Sequence, residues 1–200
     1  MEKLLEVLKW WFSYFFGLIN KAINAFYNAP YVETFSETLI ADQSTWEGYC
    51  LVQRIEAVRL SHSGKQVKLT LRASSSINAS IETVRISRPA LAGEPYASAT
   101  DLTAVSLPRP FSTIYGLPPC VVAANSTVTG STYYNLDEGQ PLLIAVDFSA
   151  APASGIKYTE AVPPEQASAY YKKGSEAMNP DRTGFTAISG IYLIEKIEVA

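Results

Sequence analysis

The stretch VKLTLRA, Val67–Ala73, alternates without a break. Val67, Leu69, Leu71 and Ala73 would face an interior, and Lys68, Thr70 and Arg72 would face water. A period of two is the signature of a β-strand with one buried face. Seven other segments read as strands: Cys50–Leu60, Ile81–Ser87, Asp101–Leu107, Cys120–Ala123, Pro141–Phe148, Ser168–Lys172 and Gly190–Val199. Turn signals fall between them at Ser63-Gly64, Ser74–Asn78, Asp137–Gly139, Ser154-Gly155 and Pro163-Pro164. Short strands at this spacing, with no helical pattern between them, predict an antiparallel β-sandwich or jelly roll from about residue 45 to 200. Six of the twelve prolines lie in Pro89–Pro119, which predicts long ordered loops there.

The first 29 residues follow a different rhythm. Leu4, Leu8, Trp11, Phe15, Leu18, Ala22 and Ala25 are spaced alternately by four and three, the pattern of one apolar helical seam. Leu5, Phe12, Ile19 and Phe26 form a second stripe beside it, and Glu2, Glu6, Lys9, Ser13, Gly17, Asn20, Asn24 and Asn28 line the opposite face. A helix over residues 2–28 would run about 40 Å, and Pro30 would end it. Residues 1–29 are therefore predicted to be a long amphipathic helix, residues 30–44 a linker, and 45–200 the β-domain.

Three uses of that helix compete. A cleaved signal needs a basic start, but Glu2 and Glu6 balance Lys3 and Lys9, and Asn20-Lys21 interrupt the apolar run. A membrane span needs about 20 apolar residues, and only ten residues, Ser13 among them, lie between Lys9 and Asn20. Surface binding to anionic lipid is weakly served by three lysines. Docking on protein fits best, with Leu4, Leu8, Trp11, Phe12, Phe15, Leu18 and Ile19 as the docking face. Bulky Trp and Phe on the seam suit a bundle of many helices or a wide groove, so self-association as a trimer or higher is expected, beside contact with other proteins. Packing back on the chain's own β-domain is the alternative.

Composition narrows the function. The formal net charge is -3, and the N-terminal 29 residues hold three lysines against two glutamates, so the remainder is acidic. An acidic body without Lys/Arg clusters is a poor binder of phosphate backbones, so no nucleic acid partner is expected. His62 is the single histidine and sits in SHSGK, a turn sequence; with no GxSxG present, a Ser-His-Asp triad is not expected. Cys50 and Cys120 belong to no CxxC pair and leave both a disulfide and two free thiols open. Asn179 and Asp181 in NPDRTG lack the carboxylate density of a calcium loop and read as a turn. No metal or cofactor is expected, and no enzyme activity.

Two groups of residues remain as site candidates. Tyr and Trp combine a flat apolar face with a polar handle, which makes Trp46, Tyr96, Tyr134 and Tyr171 candidates for stacking on a ligand, a cell-surface glycan in particular. In Tyr133-Tyr134 and Tyr170-Tyr171, alternation would send one ring inward and one outward. Asp147 follows LLIAV within a strand, on the face opposite Leu142, Ile144, Val146 and Phe148. It is either a structural carboxylate or one acid of a glycan-cleaving pair.

The C-terminal stretch DRTGFTAISGIYLIEKIEVA, Asp181–Ala200, preceded by PLLIAVDFSAAPASGIKYT, Pro141–Thr159, resembles the ending of tail-fibre, spike and similar accessory proteins of tailed bacteriophages and prophage-like particles. The resemblance covers the last third of the chain and carries no catalytic motif. It implies a non-enzymatic virion component, its helix attached to the particle and its β-domain displayed on the particle surface as decoration or for host attachment.

Overall fold

A computed structural model describes residues 11, 14–18, 30–109, 118–160 and 162–200. The chain divides into two units, Met1–Tyr31 and Val32–Ala200. In the first, Trp11 and residues 14–18 are helical. This is a short stretch of the helix expected over 2–28; the remaining residues, Leu4, Leu8, Phe12 and Ile19 among them, lie outside the described residues. Trp11, Phe15 and Leu18 of the expected docking face are roughly half exposed.

The second unit is mainly β, and its strand pairs are antiparallel. Four strands form one sheet in the order β1-β14-β4-β8: Val32–Ser36, Ile194–Val199, Gly64–Arg72 and Thr127–Leu136. A three-stranded sheet runs β13-β10-β2, from Ile191–Tyr192 through Ile156–Thr159 to Ala41–Gln43. The largest sheet runs β12-β11-β3-β9-β5-β6: Thr186–Ile188, Ala167–Lys173, Tyr49–Ile55, Leu142–Phe148, Ala79–Ser87 and Thr103–Ala104. In it β7, Cys120–Val122, also pairs with β5.

The alternation in Val67–Ala73 is realised in β4. Val67, Leu69 and Leu71 are fully buried, while Lys68 and Arg72 meet Glu198 and Glu195 of β14 at 2.9 and 2.8 Å. The inward residues of all three sheets belong to one apolar core: Leu69 and Ile197 from the four-stranded sheet, Ile156 and Ile191 from the three-stranded, Leu51, Ile144 and Phe148 from the largest. Strand β9 is buried along its whole length. Leu142, Ile144, Val146 and Phe148 enter the main core, as the alternation predicts. Leu143 and Ala145 enter a second, smaller cluster with Cys50, Val52, Tyr96 and Ala177 on the opposite face.

Several boundaries differ from the sequence reading. Residues 30–44 are not a linker: β1 and β2 occupy Val32–Ser36 and Ala41–Gln43, with Phe35 3% exposed in the core. The Cys50–Leu60 strand stops at Ile55 and gives way to a 3-10 turn over Ala57–Arg59. Asp101–Leu107 contributes only the two residues of β6. Gly190–Val199 is two strands, because Leu193 takes φ +64 and carries the chain from the three-stranded to the four-stranded sheet. Strands β8, β10 and β12 were not legible as strands. In β8, Gly130 stands mid-strand where a Cβ would lie 2.5 Å from Leu107 Cδ2, and its outward residues are mostly Thr and Ser, so the segment reads as a loop.

The sheets are tied at Gln53, a fully buried residue of β3. Its Nε2 donates to the carbonyls of Ser168 and Gly190 at 2.9 and 3.2 Å, and its Oε1 accepts from Tyr192 N at 2.9 Å. Gly190 is required there: at φ +110 a Cβ would fall 2.2 Å from Thr159 O. Gln53→Leu would remove the partners of two buried backbone groups, Gly190 O and Tyr192 N, and of the part-buried Ser168 O. Since each buried group left unpaired costs about 1–3 kcal/mol, a loss of roughly 2–6 kcal/mol is expected by urea denaturation of the variant against the parent.

Candidate functional site

The aromatic residues gather where β2 and β12 end. After Gln43 the chain turns through Thr45, whose φ is +81, and returns as β3. Trp46 N donates to Ser154 O at 3.0 Å and Tyr49 N to Trp46 O at 3.1 Å, which fixes the turn. The Trp46 ring is thereby held inside an aromatic cage, with Phe148, Tyr192, Tyr171 and Tyr49 centroids at 5.6, 5.9, 6.2 and 6.4 Å. It is 3% exposed, and its Nε1–H has no hydrogen-bond partner among the described residues.

Register explains the remainder of this arrangement. Tyr171 lies opposite Leu51 and Thr186, Lys173 opposite Tyr49, and Ala169 opposite Ile188. Tyr49, Tyr171 and Ile188 therefore share one face of the largest sheet as diagonal neighbours. Tyr49 and Tyr171 are half-buried, with centroids 6.0 Å apart. Together with Gln43, Thr45, Trp46 and Ile188 they line a cleft of about 250 Å³. Trp46, Tyr49, Tyr171 and Ile188 give it aromatic and aliphatic surface, Gln43 and Thr45 add an amide and a hydroxyl, and no side chain in the lining is formally charged.

Of the four stacking candidates, the structure brings Trp46 and Tyr171 together and places the other two elsewhere. Tyr96 is buried in the second cluster, 5.1 Å from Tyr170 and 4.9 Å from Phe185. Tyr134 is the inward member of its pair, 7% exposed, and its hydroxyl donates to Asp101 Oδ2 at 2.8 Å. Burial, and then Asp101, pushes its phenol up. Tyr133 is the outward ring, 54% exposed. Tyr170 and Tyr171 do not divide into core and solvent, because β11 is covered on both faces: Tyr170 packs on the second cluster and Tyr171 on the main core. Tyr49, Gln43 and Thr45 escaped the sequence reading. They join the cleft only through the β3–β11 pairing and the β2 edge, neither of which has a local signal.

Asp147 lies across from Cys50 in the β3–β9 register, on the second face of the sheet. It is 3% exposed, and its Oδ1 accepts from Glu176 N and Ala177 N at 2.9 and 3.0 Å. Burial first, and the Asp147 charge second, push the Cys50 thiol up, so it is a poor nucleophile. Both cysteines are buried free thiols. Arg182, 1% exposed, spans two loops: it donates to Glu176 O at 3.1 Å, Ala177 O at 2.8 Å, Tyr96 O at 3.0 Å and Ser98 Oγ. Asn179 Oδ1 accepts from Asp181 N at 3.0 Å, a turn of the Asx type. His62 is exposed, its N–H on Thr34 Oγ1 at 2.9 Å. Asp147 and Arg182 thus act as a brace that straps residues 174–184 onto the sheet.

No protein-family model matches this chain, and no curated protein matches it.

The strapped segment has a pH dependence of its own, through the Glu176 side chain. Lys172 and then Asn179 hydrogen-bond the Glu176 carboxylate and hold its pKa below 4.5. A lowered carboxylate pKa stabilises the fold above the unfolded value, and the contribution is lost as pH falls through the folded value. The difference in melting temperature between parent and Glu176→Gln should therefore be full at pH 7 and decline only once the pH has fallen below 4.5, through the lowered folded value. Melting curves of both proteins from pH 7 into the acid range would check this, and a difference that stays constant or grows as the pH falls would contradict it.

Proposed function

We propose that this chain is a non-enzymatic structural or adhesion protein, whose N-terminal segment docks it into a larger assembly and whose β-body is the displayed module. The observation that carries the reading is the exposure of Trp11, Tyr14, Phe15, Phe16 and Leu18, each 49–58% accessible, in a unit separate from the β-body. Consecutive apolar residues exposed around a helix favour a surrounding partner surface over water. The heptad spacing of residues 4–25 supports a longer amphipathic helix and self-association as a trimer or higher. A β-sandwich is the finer reading of the body, supported by the core shared between the four-stranded and the largest sheet. The likeness of the last third of the chain to phage tail-fibre and spike endings supports a virion or extracellular particle surface as the setting. Asp147, buried on two backbone amides, gives no support to a glycan-cleaving role.

Deleting residues 1–30 should leave a folded, monomeric body, while the full chain sediments as an oligomer or joins its particle. In the full chain, Phe15→Glu with Leu18→Glu should give the same loss of assembly. Light scattering after size exclusion reads both, and equal native stoichiometry of truncated and full-length chains would overturn the docking role.

A further inference from the structure

We propose that the cleft between the ends of β2 and β12 binds a single neutral pyranose ring of a surface glycan. This goes beyond attachment of the particle protein and does not depend on it. Four observations meet at this place. The volume of about 250 Å³ falls below the ~300–1,000 Å³ of drug-sized ligand pockets, so it admits one ring and not an extended chain. The half-buried rings of Tyr49 and Tyr171, tilted 55° to each other, form an angled aromatic wall on which one ring face can meet the C–H face of a sugar. Gln43 and Thr45, both exposed, place an amide and a hydroxyl on the rim for the sugar hydroxyls.

The fourth observation is conformational. Thr45 is β-branched and sits at φ +81, a region such residues rarely adopt. Strain of this kind gathers where a structure positions a functional group, and here it places on the cleft a hydroxyl that donates to Ser44 O and so meets a ligand as an acceptor. At the floor, the Trp46 Nε1–H lacks a partner, which is unusual for a buried donor. The lining carries no formal charge; Lys173 Nζ lies 5.9 Å from the Tyr49 centroid but is not part of the wall. The chemistry therefore selects a neutral sugar over a uronic acid. The compact shape disfavours an extended peptide, which needs a groove or a long free strand edge.

The test uses the full-length, nitrogen-15-labelled chain, with the Trp46 indole signal assigned by Trp46→Phe. It is titrated with the methyl glycosides of glucose, galactose, mannose, N-acetylglucosamine and glucuronate, and with a proline-rich tetrapeptide. At least one neutral glycoside should shift the Trp46 signal saturably, with Kd on the order of millimolar for so small a ligand. Gln43→Ala should weaken binding about fivefold, the effect of one lost hydrogen bond. Tyr171→Phe should retain binding and Tyr171→Ala abolish it. If Tyr171→Ala fails to fold, Gln43→Ala, at an exposed strand end, decides alone. Silence of all neutral glycosides, a response to glucuronate or the peptide alone, or unchanged affinity in Gln43→Ala would each overturn the proposal.

Discussion

A single carboxamide holds the β-body in register. Gln53 sits fully buried in β3, and its three hydrogen bonds end on β11 and on the Gly190–Tyr192 turn. An amide in an apolar core is costly unless both its ends are satisfied. Here they are satisfied by backbone groups that a sheet crossing would otherwise strand. The constraint passes outward from there. Tyr192, fixed by Gln53, stacks on Tyr158 at 5.1 Å and packs on Trp46 at 5.9 Å. Trp46 in turn forms the floor of the cleft. The position of an indole near the surface thus depends on a buried glutamine further along the strand it leads into.

The largest sheet is unusual in being covered on both faces at its centre. Its inward face meets the other sheets, and its outward face is roofed by loops near Tyr96 and Ala177. Loops carry many backbone polar groups, and a roof made of them needs acceptors and donors from below. Asp147 and Arg182 supply these from within the roofed region. Arg182 spends its guanidinium on three carbonyls and a hydroxyl, so the buried charge is solvated by fixed dipoles in place of water. That explains a carboxylate inside a strand as apolar as LLIAV: its role is to anchor a turn.

What the sequence made legible, and what it did not, follows from the range of the interactions. Strands β4, β5 and β9 declare themselves because each has at least one face buried over seven residues or more, so local alternation or continuous apolarity records it. Strands β2, β10 and β12, of three or four residues, are defined by partners far along the chain and leave almost no periodic trace. The same holds for the cleft. Trp46 and Tyr171 stood out by residue type, but their meeting with Tyr49 and Gln43 is a product of strand register. Tyr96 and Tyr134 stood out equally and turned inward, since an aromatic ring with one hydroxyl serves a core as well as a ligand. Residue type selected candidates; only pairing could sort them.

The two proposals, a docking segment and a one-sugar cleft, become more coherent together. A site of this size can bury only one ring, so its intrinsic affinity is weak whatever the quality of its contacts. Copies held together by their N-terminal segments would present several such clefts on one assembly. Simultaneous engagement then raises overall avidity by about 10²–10⁴-fold with no new contact, provided the spacing of clefts matches that of the glycans. Weak individual sites also release singly, which lets an assembly re-register on a surface before it is held. With the proposed docking role, the N-terminal segment would do more than attach the chain: it would convert an aromatic cleft, too small to hold a partner alone, into an adhesive surface.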